Sequence, residues 1–251
     1  MDLARSKNAI VTGANRGIGR ATVERFAADG YDIWACARKQ SASFEEDLHE
    51  ISKRYGVSIE PLYFDMTDHQ AMREAVLKIA ATKRTVDVLV NNAGITFNGL
   101  VAMTPMDKLR EVFEVNYFSA IRMMQLVSKL MMRQRSGCIV NLASVGGIEA
   151  NPGYLAYGSS KAALIWATKC AAKEFGKFGI RVNAVAPGLI DTDMIAYKSE
   201  TNIAEIINRT PLGRKGRAEE VADAISYLTS DRASFVTGQV LVVGGGRGNN
   251  G

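Results

Sequence analysis

The chain is 251 residues long, 47% hydrophobic and 23% charged, long enough to bury a large core and without the bias of a disordered segment. Its formal charge of +5 comes from 31 basic and 26 acidic residues with no run of Lys or Arg, which fits a mixed surface open to small anions and indicates no nucleic-acid patch. Three cysteines and two histidines lack metal-ligand spacing, so neither a disulfide framework nor a metal site is expected, and Cys36, Cys138 and Cys170 read as buried free thiols.

The stretch "MDLARSKNAIVTG" has no apolar signal-peptide region. The longest uncharged run, Val88 to Met106, is interrupted by Asn91, Asn92, Gly94, Asn98, Gly99 and Pro105, so no membrane span is expected and the protein reads as cytoplasmic. Strands are predicted at Asn8–Thr12, Asp32–Ala37, Ser58–Tyr63, Val86–Asn91, Cys138–Leu142, Arg181–Val185 and Val240–Val243. Runs such as "VDVLV" and "CIVNLA" are apolar on both faces, the pattern of a parallel sheet covered on each side. Helical patterns lie between them: "GRATVERFAADG" ending at Gly30, "DHQAMREAVLKIAATK" opening on a capping Asp68, a long one from Pro105 through "RQRSG", "SSKAALIWATKCAAKEFGKFG" and "AEEVADAISYLTS". The alternation predicts one α/β domain over residues 1–251, a Rossmann-type doubly wound parallel sheet of about seven strands flanked by helices.

The first unit, "NAIVTGANRGIGRATVERF", is a strand, a turn with Gly13, Gly17 and Gly19, and a helix. Glycine there lets backbone approach a pyrophosphate, and the helix N-terminus offers free N–H groups and a positive dipole end. The second strand ends "WACARKQS", with Ala37 and Arg38 where an acid that holds a ribose 2′-hydroxyl is expected. Arg16 and Arg38 suit a 2′-phosphate, because guanidinium pairs with phosphate through two hydrogen bonds; the expected cofactor is NADP(H) rather than NAD(H). Asp65 and Met66 follow the third strand in "LYFDMTD", where Asp65 also reads as a helix cap.

"YGSSK" sets Tyr157 and Lys161 on one helix face. On spacing alone this is a surface tyrosine beside a solvated lysine. Asn116, within "FEVNY" of the long helix, is costly there because its amide competes for backbone groups. Ser144 ends "CIVNLAS", and "VAPGLIDTD" carries Pro187, Gly188, Ile190 and Thr192.

Thr12-Gly-x-x-x-Gly-Ile-Gly19, "NNAG" at Asn91–Gly94, Asn116, Ser144, Tyr157, Lys161 and the Pro187–Thr192 segment, in this order, resemble the short-chain dehydrogenase/reductase family over nearly the whole chain. The resemblance implies an enzyme with a catalytic tetrad of Asn116, Ser144, Tyr157 and Lys161. Tyr157 would be the proton donor, Lys161 its electrostatic partner and ribose anchor, Ser144 a hydrogen-bond donor to the substrate carbonyl, and Asn116 the holder of a proton-relaying water. It implies cofactor contacts from Gly13, Asn15, Arg16, Gly17, Ile18 and Gly19, from Arg38, and from Asp65 and Met66. Asn92, Ala93 and Gly94, Tyr157 and Lys161, and Pro187, Gly188, Ile190 and Thr192 would complete the set. An unperturbed tyrosine titrates near about 10, so acting near neutrality requires roughly 4 kcal/mol in favour of tyrosinate, part of it from the lysine. Gly158, Ser159 and Ser160 are expected to leave room for cofactor and substrate.

Within the family the chain most resembles the 3-oxoacyl-[acyl-carrier-protein] reductases, through "APGLIDTDM", "PLGRKGRAEEVADAISYLTSDRASFVTGQVLVVGGG" and the interval from Ser144 to Tyr157. That implies NADPH-dependent reduction of a 3-oxoacyl thioester, an acidic acyl carrier protein as partner and a homotetramer. Arg135 matches one carrier-docking cation, but the second position is Phe178, beside Lys177; the usual C-terminal end is altered to "VVGGGRGNNG". A dehydrogenase of a hydroxysteroid, sugar or CoA-linked 3-hydroxyacid remains open, as does a non-catalytic NADP-binding regulator. Ile195, Tyr197, Ile203, Ile206 and Ile207 give a substrate lid at about 192–214 an apolar side, consistent with an apolar pocket or with core packing. Met123, Met124, Met131 and Met132, with Leu164, Trp166 and Cys170, are candidates for pairing across subunits, some of them for the core.

Overall fold

Seven short apolar segments pair into one parallel sheet: β1 Asn8–Thr12, β2 Asp32–Ala37, β3 Ile59–Tyr63, β4 Val88–Asn91, β5 Gly137–Leu142, β6 Ile180–Pro187 and β7 Val240–Val243. Their order is β3-β2-β1-β4-β5-β6-β7, with every neighbouring pair parallel. The computed structural model describes residues 7–195 and 199–247. Helices α1 Gly17–Ala28, α2 Ala42–Tyr55, α3 His69–Ala81, α4 Met106–Phe113, α5 Ser119–Gln134, α6 Leu155–Phe175, α7 Glu200–Asn208 and α8 Ala218–Thr229 connect the strands or pack on the sheet.

The double covering explains the unbroken apolar strands. Ala9 and Val11 of β1 enter a core with Val23, Phe26, Ile225 and Leu228. Ile10, between them, enters a second core with Met123, Val127 and Met131. Strand order reverses beside β1, where the chain returns from the β3 edge to lay β4 on the other side. The loops leaving β1 and β4 therefore diverge at the strand C-termini and open a crevice.

Several expectations shift. β6 runs from Ile180 to Pro187, beyond the predicted end, while β3 and β4 start later than predicted. Helix α2 was not anticipated; its buried face is only Phe44, Leu48 and Ile51 among charged neighbours. The long helix is interrupted by a π turn at Glu114–Phe118, which contains Asn116. Asp68 caps α3 as expected, accepting from Gln70 N and Ala71 N. Cys36 and Cys138 are buried, but Cys170 is exposed. The reason is the helical period: Leu164, Thr168, Ala171 and Ala172 take the inner face of α6, leaving Trp166, 69% exposed, and Cys170 one turn later outside. Met123, Met124, Met131 and Leu164 lie in the core. Tyr197 of the expected lid lies outside the described residues. Among the described residues no helix is long and apolar enough to cross a membrane, and no group of three or more His, Cys, Asp or Glu is placed to hold a metal.

Candidate active site

The glycine turn is built by close approach. Gly13 and Gly17 have φ of 65° and 54°, the left-handed region that a side chain strains. A Cβ on Gly19 would collide with the Gly13 carbonyl and come within 2.5 Å of Asn92 Nδ2. Asn92 Nδ2 donates to Thr12 O at 2.9 Å and Gly13 O at 3.1 Å, tying the turn to the loop after β4. Thr12 Oγ1, fully buried, accepts from Asn92 N and Ala93 N at 3.0 and 3.1 Å. Thr12 opens the glycine string in the sequence, but its clamp depends on the loop 80 residues on and has no local signature. Helix α1 begins without a side-chain cap at Arg16 and without an acid in its first turn. Its first N–H groups are thus open to an anion at the glycine turn, and the cradle fits the pyrophosphate of a dinucleotide. Asn15 and Arg16 are exposed on this turn. Arg16 reaches Asp193 at 3.4 Å.

Arg38 leaves the end of β2 exposed, and among the described residues it makes no hydrogen bond or ion pair. Asp65, after β3, accepts from Thr67 N at 2.9 Å and Thr67 Oγ1 at 2.8 Å. These bonds hold its carboxyl below the ordinary value, and the Arg38 and Lys39 charges add to the effect. Asp65 thus braces the "DMTD" turn while Asp68 caps the helix, and Met66 is half-buried beside it.

Lys161 is 4% exposed, and its Nζ donates to Leu142 O at 2.6 Å, at the C-terminus of β5. Burial lowers its pKa to about 8, so the ammonium persists at neutral pH. The same Nζ lies 5.9 Å from the centre of the Tyr157 ring. Tyr154 stands edge-on to Tyr157 with centres 6.1 Å apart. Ser144 Oγ accepts from Gly146 N at 3.0 Å, which leaves its O–H to donate elsewhere.

Asn116 uses both amide donors and one of the two acceptor positions of its oxygen. Oδ1 accepts from Ile95 N at 2.8 Å, and Nδ2 donates to Ile95 O at 2.9 Å and Ser160 Oγ at 3.0 Å. It therefore clamps the β4 loop to α6. A Cβ at Gly94 would lie 3.1 Å from Asn116 Oδ1 and 3.5 Å from Lys161 Nζ, so the absent side chain keeps these two groups open to each other. The small residues of "YGSSK" serve packing more than ligand room. A Cβ on Gly158 would meet Gly146 O at 2.6 Å, Ser160 Oγ bonds Tyr157 O at 2.7 Å, and Ser159 is exposed. Beneath the site, Asn91 Nδ2 donates to Asn141 Oδ1 at 2.8 Å and Asn141 Nδ2 to Thr168 Oγ1 at 2.9 Å, locking β4, β5 and α6 in register. The polar Asn141 inside "CIVNLAS" was the available sign of that ladder.

One cleft of about 280 Å³ collects Ile18, Asn92, Gly94, Ser144, Tyr157, Lys161, Pro187, Gly188, Ile190 and Thr192. Of the expected site residues, Gly13, Asn15, Arg16, Gly17 and Gly19 of the glycine turn, Arg38, Asp65, Met66, Ala93 and Asn116 stand outside its lining. Residues 13–247 match the family model described as Enoyl-(Acyl carrier protein) reductase. The chain is 39% identical over 240 residues to the 3-oxoacyl-[acyl-carrier-protein] reductase FabG of Escherichia coli (strain K12), covering 96% of each. It is 40% identical over 240 residues to the FabG reductase of Thermotoga maritima, covering 96% of this chain and 97% of that one.

The chain belongs to the short-chain dehydrogenase/reductase family. It is an oxidoreductase acting on CH–OH groups and their ketones. Among solved structures, a proposed gluconate dehydrogenase from Agrobacterium tumefaciens superposes with a TM-score of 0.91 at 29% identity, covering 97% of this chain and 96% of that one. Ser144, Tyr157 and Lys161 line the cleft at the C-terminal edge of this sheet.

Proposed function

We propose that this single-domain enzyme reduces the ketone of a 3-oxoacyl thioester with NADPH, using Tyr157 as the proton donor. The observation that carries the reading is the buried Lys161 ammonium beside the Tyr157 ring, in the cleft that Ser144 also lines. The FabG relatives, named for this reaction, support the substrate class.

NADPH, when bound along Gly13–Gly19, Asn92–Gly94 and Pro187–Thr192, supplies the hydride that the carbonyl carbon accepts. Ser144 donates its O–H to the carbonyl oxygen and holds the charge that develops there. Tyr157 gives that oxygen its proton. The Lys161 ammonium, 5.9 Å from the ring centre, favours the tyrosinate and supplies part of the shift. Asn116 keeps Ile95 and Ser160 fixed, so that Gly94 and Lys161 hold their spacing.

Arg38, exposed and unpaired among the described residues, supports the choice of NADPH, and Arg16, exposed on the glycine turn, is a second cation at that end of the site. The expected result is a KM for NADPH at least tenfold below that for NADH. With NADPH, acetoacetyl thioesters should be turned over and crotonyl thioesters should not; preference for NADH, or for the enoyl compound, contradicts the reading. Arg135 and Lys177 lie 5.6 and 5.3 Å from the Phe178 ring, so this surface keeps two cations although Phe178 has none. That supports docking of an acidic carrier protein, and a lower KM for the carrier thioester than for the CoA thioester checks it. The exposed Trp166 and Cys170 face of α6 supports a homotetramer, which light scattering of a monomer would overturn.

Gly94→Ala tests the Asn116–Lys161 spacing. Asn116 is held by its bonds to Ile95 and Ser160 and cannot retreat from a Cβ 3.1 Å away. Steady-state kinetics should show kcat reduced roughly tenfold or more with folding retained, since Gly94 φ is not in the left-handed region. An unchanged kcat removes the spacing argument.

A further inference from the structure

The cleft wall away from the glycine turn sets Ile195 and Ile206 of the lid expected from sequence among polar residues. Asn98, Asn151, Asn202, Arg209 and Arg247 line it, beside Ile206 and Met194. Arg247 Nη2 pairs with Glu149 Oε2 at 3.0 Å, and the two side chains are only 16% and 17% exposed. That is the sole hydrogen bond of the Arg247 guanidinium among the described residues, so most of its donors remain unused where it lines the cleft. Arg209, exposed at the end of α7, has no side-chain hydrogen bond or ion pair among the described residues, so its guanidinium meets solvent at the mouth of the cleft. Lys161, Arg209 and Arg247 line the cleft with one lining carboxylate among the described residues, Glu205, while Glu149 balances the Arg247 charge from behind. A guanidinium with spare donors, mostly shielded from water, is poorly matched to an alkyl chain and well matched to a carboxylate, which accepts two parallel bonds.

We propose that Arg247, held in place by Glu149, and Arg209 read a carboxylate on the substrate, so that the preferred ketone is an acid. The inference rests on the reading of this cleft as a ketone-reducing site and adds the class of group at its far wall. Two sources share this chemistry: a free keto acid, and a thioester whose acyl end carries the acid.

The test uses matched pairs with NADPH: acetoacetate against methyl acetoacetate, and 3-oxoadipoyl against 3-oxohexanoyl thioester. The acid of one pair should exceed its neutral partner at least tenfold in kcat/KM, and the pair that responds identifies the source. Arg209→Met and the double variant Arg247→Met with Glu149→Gln, which leaves no lone buried charge, should raise KM for the acid roughly tenfold or more. Their kcat, and their kinetics with the neutral partner, should change little, whereas a merely structural role lowers both compounds together. Equal effects on acid and neutral partner, or no acid preference in the wild type, overturn the proposal. A binding arm works without turnover: with NADP⁺ present, glutarate but not dimethyl glutarate should raise the melting temperature, and the rise should vanish in Arg209→Met. If no ketone is reduced, the reductase reading fails, while the glutarate arm still decides for or against the carboxylate-reading wall.

Discussion

Tyr157→Phe should lower turnover by about 10²–10⁴-fold while leaving NADPH binding within a few-fold of the wild type. The substitution removes one hydroxyl and keeps the ring that stands edge-on to Tyr154 and against Lys161. Helix α6 is unaffected at this position, because the backbone carbonyl of Tyr157 still accepts from Ser160. What disappears is the proton that must reach the carbonyl oxygen as the alcohol forms. Single-turnover reduction measured beside a fluorescence titration of NADPH separates the two effects. Turnover within tenfold of the wild type would show that another group donates the proton.

Lys161→Met should reduce turnover at least a hundredfold and should also alter how stability depends on pH. Burial holds the Lys161 pKa at about 8, below its ordinary 10.5. Below pH 8 the lysine is protonated in folded and unfolded chains alike, so the folded state carries the full cost of the buried ammonium. Between about 8 and 10.5 the folded chain releases the proton while the unfolded chain keeps it, and wild-type stability rises relative to the variant. The gain is about 3 kcal/mol at most. Denaturant melts at pH 7 and pH 10 should therefore find the Met variant at least as stable at pH 7, with the wild type recovering ground at pH 10. Wild-type reduction should fall as pH rises through about 8, because the ammonium beside the tyrosine is lost. A stability difference that moves the other way would mean the ammonium is held by more than the Leu142 carbonyl.

Much of the site was legible because its residues violate local economy. Three glycines at a strand-to-helix turn, an asparagine within a helix and a polar Ser144 after an apolar strand each have a cost that packing alone does not explain. Tyr157 and Lys161 were legible as neighbours because the helical period sets residues four apart on one face. The π turn around Asn116 had no such signature, since the wider turn depends on the Asn116–Ile95 contacts made across 21 residues. Helix α2 was obscured by its charges, although Phe44, Leu48 and Ile51 keep a helical period. Exposure of Cys170 was hidden for the opposite reason: its apolar neighbours in sequence lie on another face of α6. The Arg247–Glu149 pair joins residues 98 apart, so the altered C-terminal end could be noticed in sequence but its place in the cleft could not.

The most direct test of the account follows NADPH consumption by the wild type with an acetoacetyl thioester, with the product identified by mass spectrometry. The account predicts one 3-hydroxybutyryl thioester formed for each NADPH consumed, and formation by Tyr157→Phe at least about a hundredfold slower under the same conditions. Protection of the wild type by NADPH against thermal unfolding, with no consumption on this ketone or any other, would contradict it and leave a binding protein in place of an enzyme.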